Sequence, residues 1–411
     1  MGDVNKPAVF GPELHQVPPR EVTGRDVIER FRVQFRAAGL ACLKILEGKN
    51  IDRVFCDFHD DYVVREIMNG AKIYHFVQVK TKSAKKHQWR RLELFGLPKR
   101  LPKKPHKDLH LPGGHPPPGE KDCEKITSSF IGRLLIHTAN FKDACASVTF
   151  ETNVHFHEDV ESIDVALKSA NFNEPTLRYL ADNYAAICGS NGPATPPEIE
   201  RRLGLIRLSG ENHHLHPHDH QFEVAAKQAI FDRCEVDLTH TEGIELAIKL
   251  LELVQKKSSG KTLHTMTPGE LELTVSVGIE DLLGLLPISI SAYHSLANGG
   301  DKYALKNASI LQRKLGKASP EVVDAASKWK VDWDNWVRNY RHLHEVDLVF
   351  LQNDLNGIYA RWAGGQIAFN GLKDEISSLL TKMQDSPIAP LLSETLLLGG
   401  IMSELVRSEA R

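Results

Sequence analysis

The chain has 411 residues, of which 41% are hydrophobic and 25% charged, and a formal net charge of −2. That length suffices for two domains with real cores, and the composition is that of a globular chain, which excludes wholesale disorder. The six cysteines show no CxxC pair, Met1 to Lys6 opens without a signal-peptide core, and no apolar span of membrane length follows, so a cytoplasmic protein without membrane contact is expected.

Taken in chain order, residues 1–22 read as an N-terminal extension. Thr23 with Asp26 resembles a capping box, and Val27, Phe31, Phe35, Ala38, Cys42 and Ile45 recur at spacings of three and four. This predicts an amphipathic helix of about six turns, ended by Gly48. Gln34 and Arg36 sit beside its apolar stripe. Ile51 to Phe58 reads as a strand, Tyr62 to Ile67 as its continuation or partner, and Asn69-Gly70 as the hairpin turn before Tyr74 to Lys80.

The two segments richest in chemistry are Asp61-Tyr62-Val63-Val64 and Gln78-Val79-Lys80. Side chains alternate along a strand, so Gln78 and Lys80 share one face while Val77 and Val79 pack into the other. With Asp61 facing them from the neighbouring strand, the trio offers oxygen ligands for Mg²⁺ and a cation beside a scissile phosphate. The alternative is the solvated face of an edge strand.

From Lys80 to Lys107 there are eleven lysines and arginines against Glu93 alone, a local charge of +10 in a chain of −2. Lys82, Lys85, Lys86, Arg90 and Arg91 lie nearest the trio and form an electrostatic footprint for the phosphates of a nucleic acid. A solubilising basic loop is the other reading. The Pro- and Gly-rich run that follows predicts an insertion over 83–122, and strand-like sequence resumes near Ala146 to Phe156. Five histidines between His213 and His220 come without a cysteine pair, which favours a polar loop over a metal site.

Beyond about residue 220 the period moves from two toward 3.6. Helices are expected over Ile244–Val254, Glu270–Leu286, Tyr303–Leu315, Pro320–Trp336, Leu343–Trp362 and Leu372–Met383. Trp329, Trp333, Trp336 and Tyr340 line one helix face, either as core or as a docking surface. The expected organisation is an α/β domain over 23–260 and an all-α domain over 261–411.

The order of these parts, a helix with Gln34, a strand with Asp57, Asp60-Asp61 before apolar residues, then Gln78-Val79-Lys80, resembles the PD-(D/E)xK nuclease superfamily with Gln in the D/E position. More narrowly, the chain resembles the DNA endonuclease domain of CD-NTase-associated effectors of bacterial antiphage defence. Phe130 to Leu134 and Val148 to Asn153 are similar to later segments of that domain, so the likeness covers roughly the first 220 to 250 residues. It implies a restriction-endonuclease-like fold, with Asp61 a metal ligand, Gln78 a second ligand or water-positioning group, and Lys80 the catalytic lysine. Asp60 and Gln34 are weaker candidates, and Asp57 departs from the glutamate of many relatives. The cofactor implied is Mg²⁺ or Mn²⁺.

The helical C-terminus resembles the nuclease subunit of Lamassu-type systems, which implies self-association and an SMC-type ATPase and accessory subunit as partners. The chain itself has no Walker A motif. The resulting expectation is a metal-dependent endonuclease effector held in check by oligomerisation or a partner. The alternative is a catalytically inactive, DNA-binding assembly subunit.

Overall fold

A computed structural model describes residues 23–84, 86–97, 120–189, 195–215, 221–234, 238–262, 265–286, 288–316 and 319–409. The expected capping box at Thr23 and Asp26 lies outside the described side chains. Helix α1 (Thr23–Leu43) runs into a 3₁₀ turn (Lys44–Glu47), and Gly48, at φ 62°, closes it by donating to the Ile45 carbonyl. Three antiparallel strands follow: β1 (Ile51–Phe58), β2 (Asp60–Met68) and β3 (Ala71–Val79). Asn69 and Gly70 both take positive φ, 50° and 80°, the requirement of a two-residue turn that matches strand twist.

After β4 (Gln88–Trp89) and α2 (Arg91–Phe95) come α3 (Glu120–Ser128), α4 (Phe130–Phe141), β5 (Cys145–Glu151) and β6 (His155–Phe156). The expected insertion over 83–122 is in part core. Trp89, Leu94, Phe95 and Leu97 are at most 3% exposed and pack against α4, because four large apolar side chains in nine residues outweigh the flanking charge. Then follow α5 (Glu158–Lys168), α6 (Pro175–Asp182), α7 (Tyr184–Cys188), α8 (Pro196–Leu203), β7 (Ile206–Ser209), α9 (Gln221–Cys234) and α10 (His240–Ser258).

The remaining elements are α11 (Pro268–Val275), β8 (Ser276–Val277), α12 (Ile279–Leu285), α13 (Ile290–Asn298), α14 (Ala304–Leu315), α15 (Pro320–Tyr340), α16 (Glu345–Ala363), α17 (Leu372–Lys382) and α18 (Glu394–Glu409). The region beyond 260 is thus mostly helical, as expected, with one exception. Glu270–Leu286 is helix, strand and helix rather than one helix. Val275 packs into one core and Val277 into the other, the alternation of a strand, and Val277 and Ser276 pair with Val54 and Phe55 of β1.

The six-stranded sheet has the order β7-β5-β3-β2-β1-β8, with β5 parallel to β3 and β7 parallel to β5. One face carries Phe55, Val63, Phe76 and Phe150 against α4 to α7. The other carries Val54, Cys56, Tyr62, Val64, Val77 and Val79 against α1, α9, α10 and α12, in a core that continues without a break to Val406 in α18. Arg65, 4% exposed, reinforces that continuity: it donates to Asp52 at 2.6 Å and to Glu272 of α11 at 2.5 Å. Trp333 is buried, with Trp329 and Trp336 partly buried against the same core. No helix among the described residues is long and apolar enough to cross a membrane.

Candidate active site

β2 and β3 separate at one end of the sheet, beyond the pair Tyr62 and Val77. There the Asp61 carboxylate takes over the ladder. Its Oδ2 accepts from the Val79 backbone N–H at 2.6 Å and from Lys80 Nζ at 2.9 Å, and its Oδ1 accepts from Gln34 Nε2 of α1 at 2.7 Å. Lys80, the first residue after β3, also donates to the Val79 carbonyl at 3.0 Å. The structure therefore brings Gln34, Asp61 and Lys80 into direct contact, from three segments.

Burial pushes the Asp61 carboxyl above the usual carboxylate range, while the Lys80 charge, the hydrogen bond from Lys80 and the Val79 N–H pull it down. The balance lies upward, so burial outweighs the neighbouring cation.

Gln78 is 7% exposed and its Oε1 has no hydrogen-bond partner among the described residues. Gln78 stands between Val77 and Val79, which pack on the α1 face, so alternation sends its side chain to the face away from Gln34, and no hydrogen bond among the described residues joins it to Asp61 or Lys80. Asp57 is exposed at the end of β1 with φ 50°. Partial desolvation raises its carboxyl and the Lys80 charge opposes that, so Asp57 lies within electrostatic reach of Lys80.

Asp60 turns the other way. Its Oδ1 accepts from the Asp61 N–H at 3.0 Å and its Oδ2 lies 3.2 Å from His137 Nε2 on α4, a ring stacked on Phe76. Regular alternation would place Asp60 with Tyr62 on the α1 face; the start of β2 departs from it, and the bond to His137 holds Asp60 on the α4 side, away from Gln34. Arg36, buried beside Phe222 and 3.9 Å from Glu223, belongs to the packing of α1 on α9.

A cleft of about 450 Å³ opens over Lys80. Gln34, Val79, Lys80, Lys82, Trp89 and Phe130 form much of its wall. Among the expected DNA contacts, Lys82 sets its ammonium 4.3 Å from the Trp89 ring centre and 3.6 Å from Glu93, while Lys86 and Arg90 are exposed. Arg91 instead reaches Thr176, 3.4 Å away, and serves packing between α2 and α6. Lys85 and the basic residues from Lys99 to Lys107 lie outside the described residues.

His213 and His214 form a 3₁₀ turn with Leu215, and His216, His218 and His220 fall outside the described residues. No group of three or more His, Cys, Asp or Glu among the described residues is arranged to hold a metal ion.

Sequence reading missed Glu151, whose Oε2 accepts from the Tyr62 hydroxyl at 3.1 Å and whose carbonyl accepts from the Lys80 N–H at 2.9 Å. It also missed Phe130 on the cleft wall and Asn153 behind it. The signals that touch them are the likeness of Phe130 to Leu134 and Val148 to Asn153 to the endonuclease domain and the strand pattern near 146–156, neither of which reveals a partner.

Residues 23–188 match the family described as Cap4, dsDNA endonuclease domain. All the residues just described at the cleft fall inside that segment. Solved structures of an Acinetobacter baumannii Cap4 SAVED/CARF-domain containing receptor are also similar. One has a TM-score of 0.36 at 8% identity, over 75% of this chain and 60% of that one. The same receptor with the cyclic trinucleotide 3'3'3'-cAAA gives 0.35 at 8%, over 77% and 66%, and with 2'3'3'-cAAA 0.35 at 8%, over 72% and 63%. The chain thus spans less than two thirds of the length of those receptor chains. No curated protein matches it significantly in sequence.

Proposed function

We propose that this chain is a metal-dependent double-stranded DNA endonuclease, an effector of bacterial antiviral defence with a PD-(D/E)xK-type site. The observation that carries this is the convergence of Gln34, Asp61 and Lys80 at the mouth of a cleft, inside the segment that matches the endonuclease family. The donor chemistry suits a hard cation: the Asp61 carboxylate would be the main oxygen ligand, and Gln78, whose buried Oε1 has no partner among the described residues, would be the second ligand or water-positioning group. Mg²⁺ is commonly held by one or two carboxylates, several waters and substrate phosphates, so a single strong carboxylate is compatible with it.

When bound, such an ion supplies a Lewis acid for the phosphate and acidifies water. The chain's own residues do the rest. Gln34 orients Asp61, and Lys80 sits where an ammonium can hold the attacking water or offset charge on the scissile phosphate. Lys82, Lys86 and Arg90 hold the DNA backbone. Cutting should require Mg²⁺ or Mn²⁺, stop in EDTA, and fall about a hundredfold or more in Lys80→Ala, which should fold normally. Plasmid cleavage by the purified chain over a range of concentrations checks this. A folded Lys80→Ala protein that cuts at the normal rate would sink the reading.

The second reading, a DNA-binding assembly subunit that does not cut, is favoured by Gln in place of a carboxylate at position 78 and by the lack of a three-residue metal group among the described residues. DNA binding without cutting at every concentration, in either metal and with co-purified partners present, would establish it. For the region beyond 260 we propose a regulatory role through self-association or a partner. Its finer form, a Lamassu-type subunit beside an SMC-type ATPase, is tested by co-purification with such an ATPase.

A further inference from the structure

Lys80 ends the regular pairing of β3 with β5, and its N–H donates to the Glu151 carbonyl as the last bond of the ladder. The chain then crosses the cleft as Thr81, Lys82 and Ser83, with no backbone ladder beside it, because Thr152 turns toward β7. The Thr152 N–H donates to the Ser209 carbonyl at 2.9 Å, and the Thr152 carbonyl accepts from Asn212 at 3.1 Å.

Asn153 fills the gap with its side chain. Its Oδ1 accepts from the Lys82 N–H at 3.0 Å, and its Nδ2 donates to the Lys82 carbonyl at 3.0 Å. One amide group thus reproduces both hydrogen bonds that a partner strand would give Lys82. Asn153 is 5% exposed, so water competes poorly for these bonds. Next to it, the Thr152 hydroxyl accepts from Trp89 Nε1 at 2.8 Å, and the Trp89 ring carries the Lys82 ammonium. Asn153 thus holds the Lys82 backbone, and Thr152 anchors the ring over which the Lys82 ammonium lies.

We propose that Asn153 is a positioning residue for cleavage, setting the path by which the Lys80 to Ser83 segment enters the cleft and so the placement of Lys80 beside Asp61. This rests on the nuclease reading above. Asn153 touches neither DNA nor the reacting atoms; it acts through the backbone of Lys82. The amide pattern is specific: aspartate keeps the acceptor but sets a carboxylate against the Lys82 carbonyl, and alanine removes both bonds.

The test compares the full chain with Asn153→Asp, nearly isosteric and so the safer for folding, and with Asn153→Ala. Plasmid cleavage, DNA affinity, and amide hydrogen exchange over residues 81–83 are measured on each. We expect kcat to fall about 10- to 100-fold, beyond any accompanying loss of DNA affinity through Lys82, with exchange accelerated, whereas lost folding would depress affinity and rate together. Wild-type cutting by a folded variant, an unchanged exchange rate at Lys82, or a loss of affinity that accounts for the whole loss of rate would each overturn the role. No cutting by the unaltered chain would instead remove the nuclease reading itself, a result independent of the variants.

Discussion

Two carboxylates near the strand ends are charged at a cost. Asp61 recovers part of it through Lys80, Gln34 and the Val79 N–H. Glu151 has less: burial raises its carboxyl above the ordinary glutamate range, against the hydrogen bond from Tyr62 and the charge of Lys44. A folded-state value above the unfolded one means that Glu151 favours folding at pH below the ordinary glutamate value, and that this support fades as pH rises through the raised value. Glu151→Gln removes the effect. The melting temperature of the variant should therefore gain on that of the native chain as pH rises from about 4 to 8, and thermal melts across that range check it. Parallel curves would mean that Glu151 is solvated.

Glycines decide how closely the C-terminal helices approach one another. A Cβ at Gly399 would overlap the Trp329 carbonyl, and one at Gly400 would come within 2.6 Å of Leu355 Cδ1 and 3.2 Å of the Trp333 ring. The lack of side chains there lets α18 lie directly on α15. Gly357, inside α16, has nothing within 4 Å of where its Cβ would stand. The same substitution should have opposite signs at the two places. Gly399→Ala is expected to cost about 1–3 kcal/mol or to block folding, since backbone must move. Gly357→Ala is expected to stabilise by about 0.5–1 kcal/mol, from helix propensity alone. Urea unfolding of both variants checks the pair; equal shifts would refute the packing account.

Over the whole molecule, two features set behaviour. The first is the core shared across residue 260, where β8 pairs with β1, Glu272 binds Arg65, and apolar residues from Val33 to Val406 form one cluster. Ending the chain at residue 260 would bare the β1 edge and remove one of the two carboxylates from a buried guanidinium. The shortened chain should be aggregated or unfolded by far-UV circular dichroism and gel filtration. A monodisperse product with a sharp melt would show that the sheet stands without that support. The second feature is charge. With a net −2, the chain as a whole would repel DNA weakly, so the proposed binding has to run through local cations. Lys86→Ala with Arg90→Ala should lower the slope of log affinity against log salt by about 1 for each DNA phosphate that is no longer neutralised, measured by fluorescence anisotropy. An unchanged slope would place the DNA elsewhere.

The sequence by itself determined what nearest neighbours decide. Apolar spacing made α1, and two positive-φ residues at Asn69-Gly70 made the hairpin; alternation allowed only one of Asp60 and Asp61 to face Lys80, and the apolar Tyr62-Val63-Val64 that follows, with the family resemblance, favoured Asp61. Tertiary structure decided which remote segment met which. Gln34 reaches Asp61 across 27 residues, Asn153 reaches Lys82 across 71, and a helical-looking run yields two residues to the edge of β1. The physical reason is that turns and helices close over a few residues, where local preference prevails. A parallel strand pair, or a two-residue edge strand, is stabilised only by burial and hydrogen bonds that exist once the distant partner has arrived.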